Sequence, residues 1–139
     1  MILMQKRDLP LVSVRVTAKG GKEADPAERA GLASLTADLL TQGTKTRSRE
    51  ALATEVDALG ARLGASAGRQ DSNVGMEFLA KDTDKALAIL DDVLKNPLFG
   101  EDELKRLVAR RLDNIKAAKD QPQMAVRQHF DAYFFGKEH

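Results

Sequence analysis

The sequence has no cysteine, and only two histidines, His129 and His139, occur in its 139 residues. Without cysteine there is no disulfide framework, no thiolate metal site and no cysteine nucleophile. Apolar runs are also short, since none approaches the roughly 20 residues that a membrane-spanning helix needs. Residues 1–7 do not resemble a signal peptide, because their short apolar part precedes the charges. We therefore expect no membrane span, and the cellular compartment stays open.

The sequence has no excess of charge of one sign, because it contains 22 lysines and arginines and 21 aspartates and glutamates. A nucleic-acid-binding or membrane-binding surface needs an excess of positive charge, so neither partner is expected. The apolar share of 42% and the charged share of 31% are typical of a globular protein. The length predicts one domain spanning residues 1–139. Because the sequence opens in a strand pattern and stops straight after a helical one, we expect a fragment of a longer chain.

Three strands are predicted from alternating apolar positions. In residues 9–18 the side chains of Val12, Val14, Val16 and Ala18 share one face. Two further strands are predicted over residues 63–69 and 72–80, joined by a tight hairpin at Gln70-Asp71. In the last strand the expected core face carries Val74, Met76, Phe78 and Ala80.

Five helices are predicted, over residues 25–41, from Ser48 onwards, and over 84–94, 101–119 and 123–135. Asp25-Pro26-Ala27-Glu28 has the cap, the first-turn proline and the returning glutamate of a helix start. Leu87, Leu90 and Leu94 are the expected buried stripe of the third helix, and Leu104, Leu107, Val108, Leu112 and Ile115 that of the fourth. The element order predicts an α+β fold of two layers, with helices on one face of an antiparallel or mixed sheet.

One helical segment resembles a known family. The residues Gly31-Leu32-Ala33-Ser34-Leu35-Thr36-Ala37-Asp38, followed by Gly43-Thr44, are similar to the first active-site helix of the M16 metallopeptidases, which include insulin-degrading enzyme, pitrilysin and the mitochondrial processing peptidase. The flanks fit in order: Lys19-Gly20-Gly21, Leu59-Gly60-Ala61, Asn96-Pro97-Leu98-Phe99 and Asp120-Gln121-Pro122. The resemblance covers nearly the whole chain and implies the metallohydrolase fold of LuxS and the mitochondrial processing peptidase, in an N-terminal-type domain.

The zinc motif that the resemblance implies is replaced in this chain. Active members carry Gly-Leu-Ala-His-x-x-Glu-His, in which the histidines bind zinc and the glutamate is the general base. Here Ser34 and Asp38 stand at the histidine positions and Ala37 at the base position. The third ligand falls at about Asn114, or at Asp113 if the register is off by one. We therefore expect no zinc, no other cofactor and no catalytic residue. The alternatives are a weak metal site that includes Asp38, and an unrelated helical domain on which Ser34, Ala37 and Asp38 are surface residues.

The function that the resemblance implies is a non-catalytic one. M16 proteins pair homologous domains or subunits around a chamber, so we expect the partner, structural or substrate-binding half of a two-component zinc peptidase, as in a bacterial heterodimer of periplasm or cytoplasm. The expected partners are a homologous M16 subunit or a second M16-like domain, and a peptide. The alternatives are a fragment of an active M16 peptidase whose motif lies elsewhere in the full-length chain, and a free-standing binding module.

A peptide-binding edge is predicted at Ala65, Ser66 and Ala67. In active relatives an extended substrate adds as a strand to the sheet edge beside the zinc helix, and small side chains suit such a close approach. Packing of these residues under a helix is an equal alternative. If the edge is used, Ser66→Pro is expected to weaken peptide binding without loss of the fold, because proline removes one donor. A central position for this strand would contradict the hypothesis.

Overall fold

The computed structural model of the chain describes Ile2, Met4, residues 8–119, Phe130, Tyr133 and Phe134. The chain divides into two compact units, residues 1–104 and 105–139, and each is described by itself. Apart from three aromatic residues, the predicted fifth helix at 123–135 lies outside the described residues. The single domain over residues 1–139 stays a prediction.

The first unit is built on an antiparallel sheet of three described strands: β1 (Leu11–Lys19), β2 (Arg62–Ala67) and β3 (Asp71–Leu79). The strand order is β1-β3-β2, so β3 is central and β2 lies at an edge of the described sheet. The side chains of Val74, Met76 and Phe78 are buried, as their alternation predicts. Each strand begins and ends within two residues of its predicted bounds.

The helices are α1 (Leu32–Leu40), α2 (Arg49–Ala58), α3 (Thr83–Lys95) and α4 (Glu101–Lys119), with short 3-10 turns at residues 22–24, 27–29 and 80–82. Helices α1 and α2 pack on β2, while α1 and α3 pack on β3. Their apolar side chains join the inward face of β3 in one core: Leu52, Val56, Ala61, Val74, Met76, Phe78, Ala86, Ile89, Leu90 and Val93. The fold is therefore the two-layer α+β architecture that the sequence predicts. Within the described residues, no helix is long and apolar enough to cross a membrane.

The prediction of a first helix starting at Asp25 is wrong. Residues 22–24 and 27–29 form separate 3-10 turns, and the α-helix begins only at Leu32. Asp25 still acts as a cap, but over a longer range than the sequence pattern implies. Its Oδ2 accepts a hydrogen bond from the N–H of Gly31 at 2.8 Å, and its Oδ1 accepts one from Ala33 at 2.8 Å.

Two predicted apolar stripes also need correction. In α3, Leu87 and Leu94 are exposed, and the buried residues are Ala86, Ile89, Leu90, Asp92 and Val93. The i, i+3, i+4, i+7 spacing of Ala86, Ile89, Leu90 and Val93 fits a helical face better than the leucines alone. In the second unit, the α4 residues Val108, Leu112 and Ile115 are exposed rather than buried. An apolar stripe identifies the face of a helix but not what covers it.

Candidate functional site

The first residues of α1 are fixed by a glycine and a remote carboxylate. Gly31, the residue before the helix, has a φ of 95°, a left-handed conformation that favours glycine. Its carbonyl accepts the first turn's hydrogen bond from the N–H of Leu35 at 2.9 Å. Asp25 satisfies two of the N–H groups that every helix start leaves without an intrahelical partner. By fixing the start of α1, Gly31 and Asp25 also fix the positions of the replaced zinc motif along the helix.

The three α1 positions of the motif do not share one environment. Ser34 and Asp38 are half-buried, whereas Ala37, at the general-base position, is only 3% exposed. Ala37 instead lines an apolar cavity of about 400 Å³ between α1 and the ends of β1 and β3. Val16, Leu32 and Leu40 are among its other walls. At the place of the base there is thus a methyl group beside an apolar cavity.

These residues do not fit a zinc ion. Zinc in proteins takes histidine, cysteine or carboxylate donors in a tetrahedral set. Ser34 and Asp38 provide one hydroxyl and one carboxylate, and Ala37 provides no donor. Asn114, the predicted third position, lies on the exposed side of α4 in the second unit. No group of three or more His, Asp or Glu side chains among the described residues could hold a metal ion.

A cluster of polar side chains surrounds the buried carboxylate of Asp92 on α3. Its Oδ2 accepts hydrogen bonds from Thr44 Oγ1 at 2.6 Å, Thr46 Oγ1 at 2.7 Å and Arg47 Nη1 at 2.7 Å. Its Oδ1 accepts one from Asn96 Nδ2 at 2.9 Å. These donors, the Thr44 hydroxyl foremost, hold the pKa of Asp92 well below its usual value despite its burial.

This Asp92 cluster fastens the loop after α1 to the end of α3. Thr44 Oγ1 also accepts hydrogen bonds from the N–H groups of Thr46 and Arg47 at 3.2 and 3.0 Å. Main-chain bonds run from Lys45 N–H to the Asn96 carbonyl at 2.8 Å and from Leu98 N–H to the Gly43 carbonyl at 3.2 Å. Gly43 makes the turn with a φ of 121°. The cluster therefore fixes the position at which α1 ends.

The sequence alone does not reveal this cluster, because Lys45, Arg47 and Arg49 by themselves indicate a solvated basic loop. Arg47 instead bridges Glu55 at 3.0 Å and Asp92 at 2.7 Å, and these two carboxylates, Glu55 foremost, raise its pKa. The residues were visible in the sequence as Thr44-Lys45-Thr46-Arg47 and Asp92. Nothing in the sequence alone pairs them, because they lie more than forty positions apart.

The predicted peptide-binding residues lie on an edge strand, but their main-chain groups point in different directions. Gly68 N–H bonds the Asp71 carbonyl at 2.7 Å, and the register Ala67↔Ser72, Ser66↔Asn73 continues without interruption. In an antiparallel ladder hydrogen-bonded and non-hydrogen-bonded pairs alternate. Ser66 and Gly64 therefore bond to β3, whereas Leu63, Ala65 and Ala67 direct their N–H and C=O groups outward. No described strand pairs with β2 on that side.

This alternation corrects one expectation. Ser66→Pro would remove a donor within the β2–β3 ladder, so the fold would not stay intact. Proline removes an outward donor only at Leu63, Ala65 or Ala67. The inward side chains of Leu63 and Ala65 pack against the core. Packing against the core thus applies to the inward side chains, while peptide binding by the outward main-chain groups stays a prediction.

The family model of the insulinases (peptidase family M16) matches residues 1–139, the whole sequence. The chain belongs to peptidase family M16. Relatives include an uncharacterised zinc protease of Rickettsia bellii, 29% identical over 119 residues, which are 86% of this chain and 29% of that protein. The human mitochondrial-processing peptidase subunit beta is 29% identical over 111 residues, which are 78% of this chain and 23% of that protein. The M16 chain described here thus spans less than a third of the length of these relatives.

The fold also matches a solved M16 structure. The crystal structure of a peptidase M16 inactive domain from Pseudomonas fluorescens superposes with a TM-score of 0.83 at 24% identity, covering 91% of this chain and 31% of that one. This likeness confirms the fold. The predicted M16 family is thus confirmed by the family model, and the α+β architecture by the solved structure. The replacement of the zinc motif on α1 stays a prediction. The roles of individual residues stay predictions.

Proposed function

We propose that this chain is a non-catalytic M16 domain that binds extended polypeptide at the β2 edge and works beside a homologous M16 domain or subunit. The observation that carries the proposal is the burial of Ala37. A general base must reach the water that it deprotonates. The methyl group of Ala37, 3% exposed beside a mainly apolar cavity, cannot accept a proton.

The β2 edge supports the binding half of the proposal. Alternate residues of an edge strand offer main-chain donors and acceptors, and an added peptide strand gains its affinity from these groups. At this edge Leu63, Ala65 and Ala67 supply them, while the side chains between them, Gly64 and Ser66, are small. Helix α1 packs against the same strand. Peptide and replaced motif would therefore lie side by side.

Pairing with a homologous partner is supported by the family. One relative of this chain bears the name of a subunit, the mitochondrial-processing peptidase subunit beta. The similar solved structure is described as an inactive domain. Catalysis would then belong to a His-x-x-Glu-His helix in the partner or elsewhere in the longer protein.

The proposal can be tested with a synthetic peptide that can add to β2 as a strand, so that the protein itself needs no substitution. The probe is a fluorescein-labelled nonapeptide, Lys-Thr-Val-Thr-Xaa-Thr-Val-Thr-Lys, in which Xaa is a variable central residue. Its binding to the intact protein is followed by fluorescence anisotropy. One version carries N-methyl groups on the odd-numbered peptide residues, and a second version carries them on the even-numbered ones. We expect one version to lose binding and the other to keep it, since only one set faces β2.

Ala65→Pro and Ala67→Pro provide the matching changes in the protein, with Ala65→Val and Ala67→Val as controls for side-chain size. Binding should fall in the proline variants and persist in the valine variants. Equal binding of both N-methylated peptides, or unchanged binding in both proline variants, would contradict addition at this edge. Hydrolysis of the probe that stops on Asp38→Ala would contradict the non-catalytic assignment.

A further inference from the structure

The face of the sheet that points away from α1, α2 and α3 carries a trough of about 350 Å³. Its floor is the main chain of Gly75 on β3 and Gly64 on β2, which are paired directly across the two strands. Arg15 on β1 is the cross-strand partner of Gly75 on the other side. The trough therefore runs across the sheet from Arg15 and opens over Gly64 at the β2 edge.

The rims of the trough are polar, and its charge is positive on balance. One rim carries Arg62 and Glu77, which are cross-strand partners, and the other carries Ser66 and Asn73, joined by a hydrogen bond of 3.2 Å. Neither Arg15 nor Arg62 makes an ion pair with another described residue. Two guanidinium groups thus face one carboxylate, an arrangement that complements an acidic group.

The open end of the trough is accessible from the β2 edge. A Cβ placed on Gly64 would meet no atom within 4 Å. Gly64 bonds to β3, so an antiparallel peptide strand would face it in a non-hydrogen-bonded pair, in which side chains are closest. The side chain of that peptide residue would point to the same face as the trough, because cross-strand partners share a face.

We propose that this trough selects an acidic side chain, glutamate above aspartate, at the peptide position paired with Gly64. The inference rests on the proposed addition of a peptide to β2. Three strand spacings, about 14 Å, separate an added peptide from β1. An extended glutamate and the extended side chain of Arg15 together bridge this distance over the two glycines, whereas aspartate is one methylene shorter. Arg62 flanks the same path and supplies a second guanidinium.

The test varies the central residue of the nonapeptide among Glu, Asp, Gln and Lys. With the intact protein we expect Glu to bind about threefold more tightly than Gln, the size of a solvent-exposed ion pair, and Lys to bind more weakly than Gln. Arg15→Gln should remove the preference for Glu over Gln. Lys19→Gln is the matched control, since it removes the same charge from the same face of β1 outside the trough, and it should keep the preference.

Gly64→Val provides an independent test, because it fills the trough where the structure has open space and suits a strand. Whatever its effect on the overall affinity, this variant should bind the Glu-centred and the Gln-centred nonapeptides equally. Binding that depends on N-methylation but is equal for all central residues would overturn the trough and leave the edge proposal standing. Absence of any binding would overturn both. A preference for Glu that survives Arg15→Gln and Gly64→Val would also overturn the assignment.

Discussion

Two neighbouring regions, one on α1 and one just beyond its C-terminal end, differ in the polar groups that they hold. On the helix itself, the positions of the zinc motif hold Ser34, Ala37 and Asp38, which form no donor set for a metal. Just beyond its end, the Asp92 cluster keeps a buried carboxylate with four side-chain donors. The first region thus lacks a described set of metal donors, whereas the carboxylate of the second has a donor on each oxygen.

The Asp92 cluster holds the end of α1 in place, whereas the motif positions on α1 are those that bind zinc in active M16 members. A buried carboxylate left without donors costs several kcal/mol, so we expect the donors around Asp92 to contribute to the stability of the fold. The motif positions contribute to folding only through packing, and Ala37 meets that requirement with a methyl group. We therefore expect substitutions in the Asp92 cluster to lower stability more than substitutions at the motif positions.

The largest effect is expected from Asp92→Ala. It removes the carboxylate that accepts hydrogen bonds from the buried Thr44 hydroxyl, 2% exposed, and from Arg47, which keeps its ion pair with Glu55. We expect the free energy of unfolding to fall by about 3 kcal/mol in urea denaturation. Asp91→Ala is the control, because Asp91 lies next in sequence but is exposed and pairs only with Lys95 on the helix surface. A loss of similar size in both variants would contradict the special role of the cluster.

A smaller, pH-dependent effect should come from the same carboxylate. Because the pKa of Asp92 is lowered in the folded protein, its contribution is fully present above the unfolded value of about 3.9 and is lost as the pH falls below it. The free energy of unfolding should therefore fall between pH 5 and 2, and part of this slope should be missing in Asp92→Asn. Asp91→Asn should keep the full slope. Identical slopes in wild type and Asp92→Asn would exclude the assignment.

Restoring the general base should destabilise the domain without restoring activity. Ala37→Glu places a carboxylate beside an apolar cavity, and we expect a loss of about 2 kcal/mol. The same change at Ala53, an exposed position of α2, should cost less than about 0.5 kcal/mol. Peptide hydrolysis should remain at background in both. A stable Ala37→Glu variant would show that the base position is not part of the apolar interior.

The smallest effect is expected at the remote cap of α1. Asp25→Ala removes both acceptors from Gly31 and Ala33, and caps of this kind contribute about 1 kcal/mol. Asp25→Asn retains one acceptor oxygen and should lose less. Glu28→Ala, at the residue that the sequence pattern assigned to a capping box, should have almost no effect. Thermal unfolding of the three variants distinguishes the remote cap from the local one.

Local patterns were enough to predict much of the fold. The alternation of Val74, Met76 and Phe78 identified the central strand, and α4 begins and ends where its pattern predicts. The start of α1 could not be found, because Asp25 caps Gly31 and Ala33 from six and eight residues away, beyond the reach of a capping-box pattern. The replaced motif was identified through the family resemblance.

Long-range contacts could not be predicted in the same way. In the Asp92 cluster, hydrogen bonds join residues that are separated by 45 to 48 positions in the sequence. No local sequence pattern predicts such a pairing. The direction of the β2 main-chain groups also depends on the pairing of β2 with β3. The sequence does not show this pairing, so it does not show that the N–H of Ser66 points towards β3. Sequence periodicity identifies the faces of elements, whereas hydrogen-bond partners follow only from their arrangement.

The most direct test of the account is the zinc content of the purified, untagged protein, measured by elemental analysis for wild type and Asp38→Ala. Asp38 is the one motif position on α1 that still bears a metal-binding group. The account predicts that Asp38→Ala leaves the zinc content unchanged, whatever metal other parts of a longer protein hold. One zinc per chain in the wild type that disappears in Asp38→Ala would contradict it.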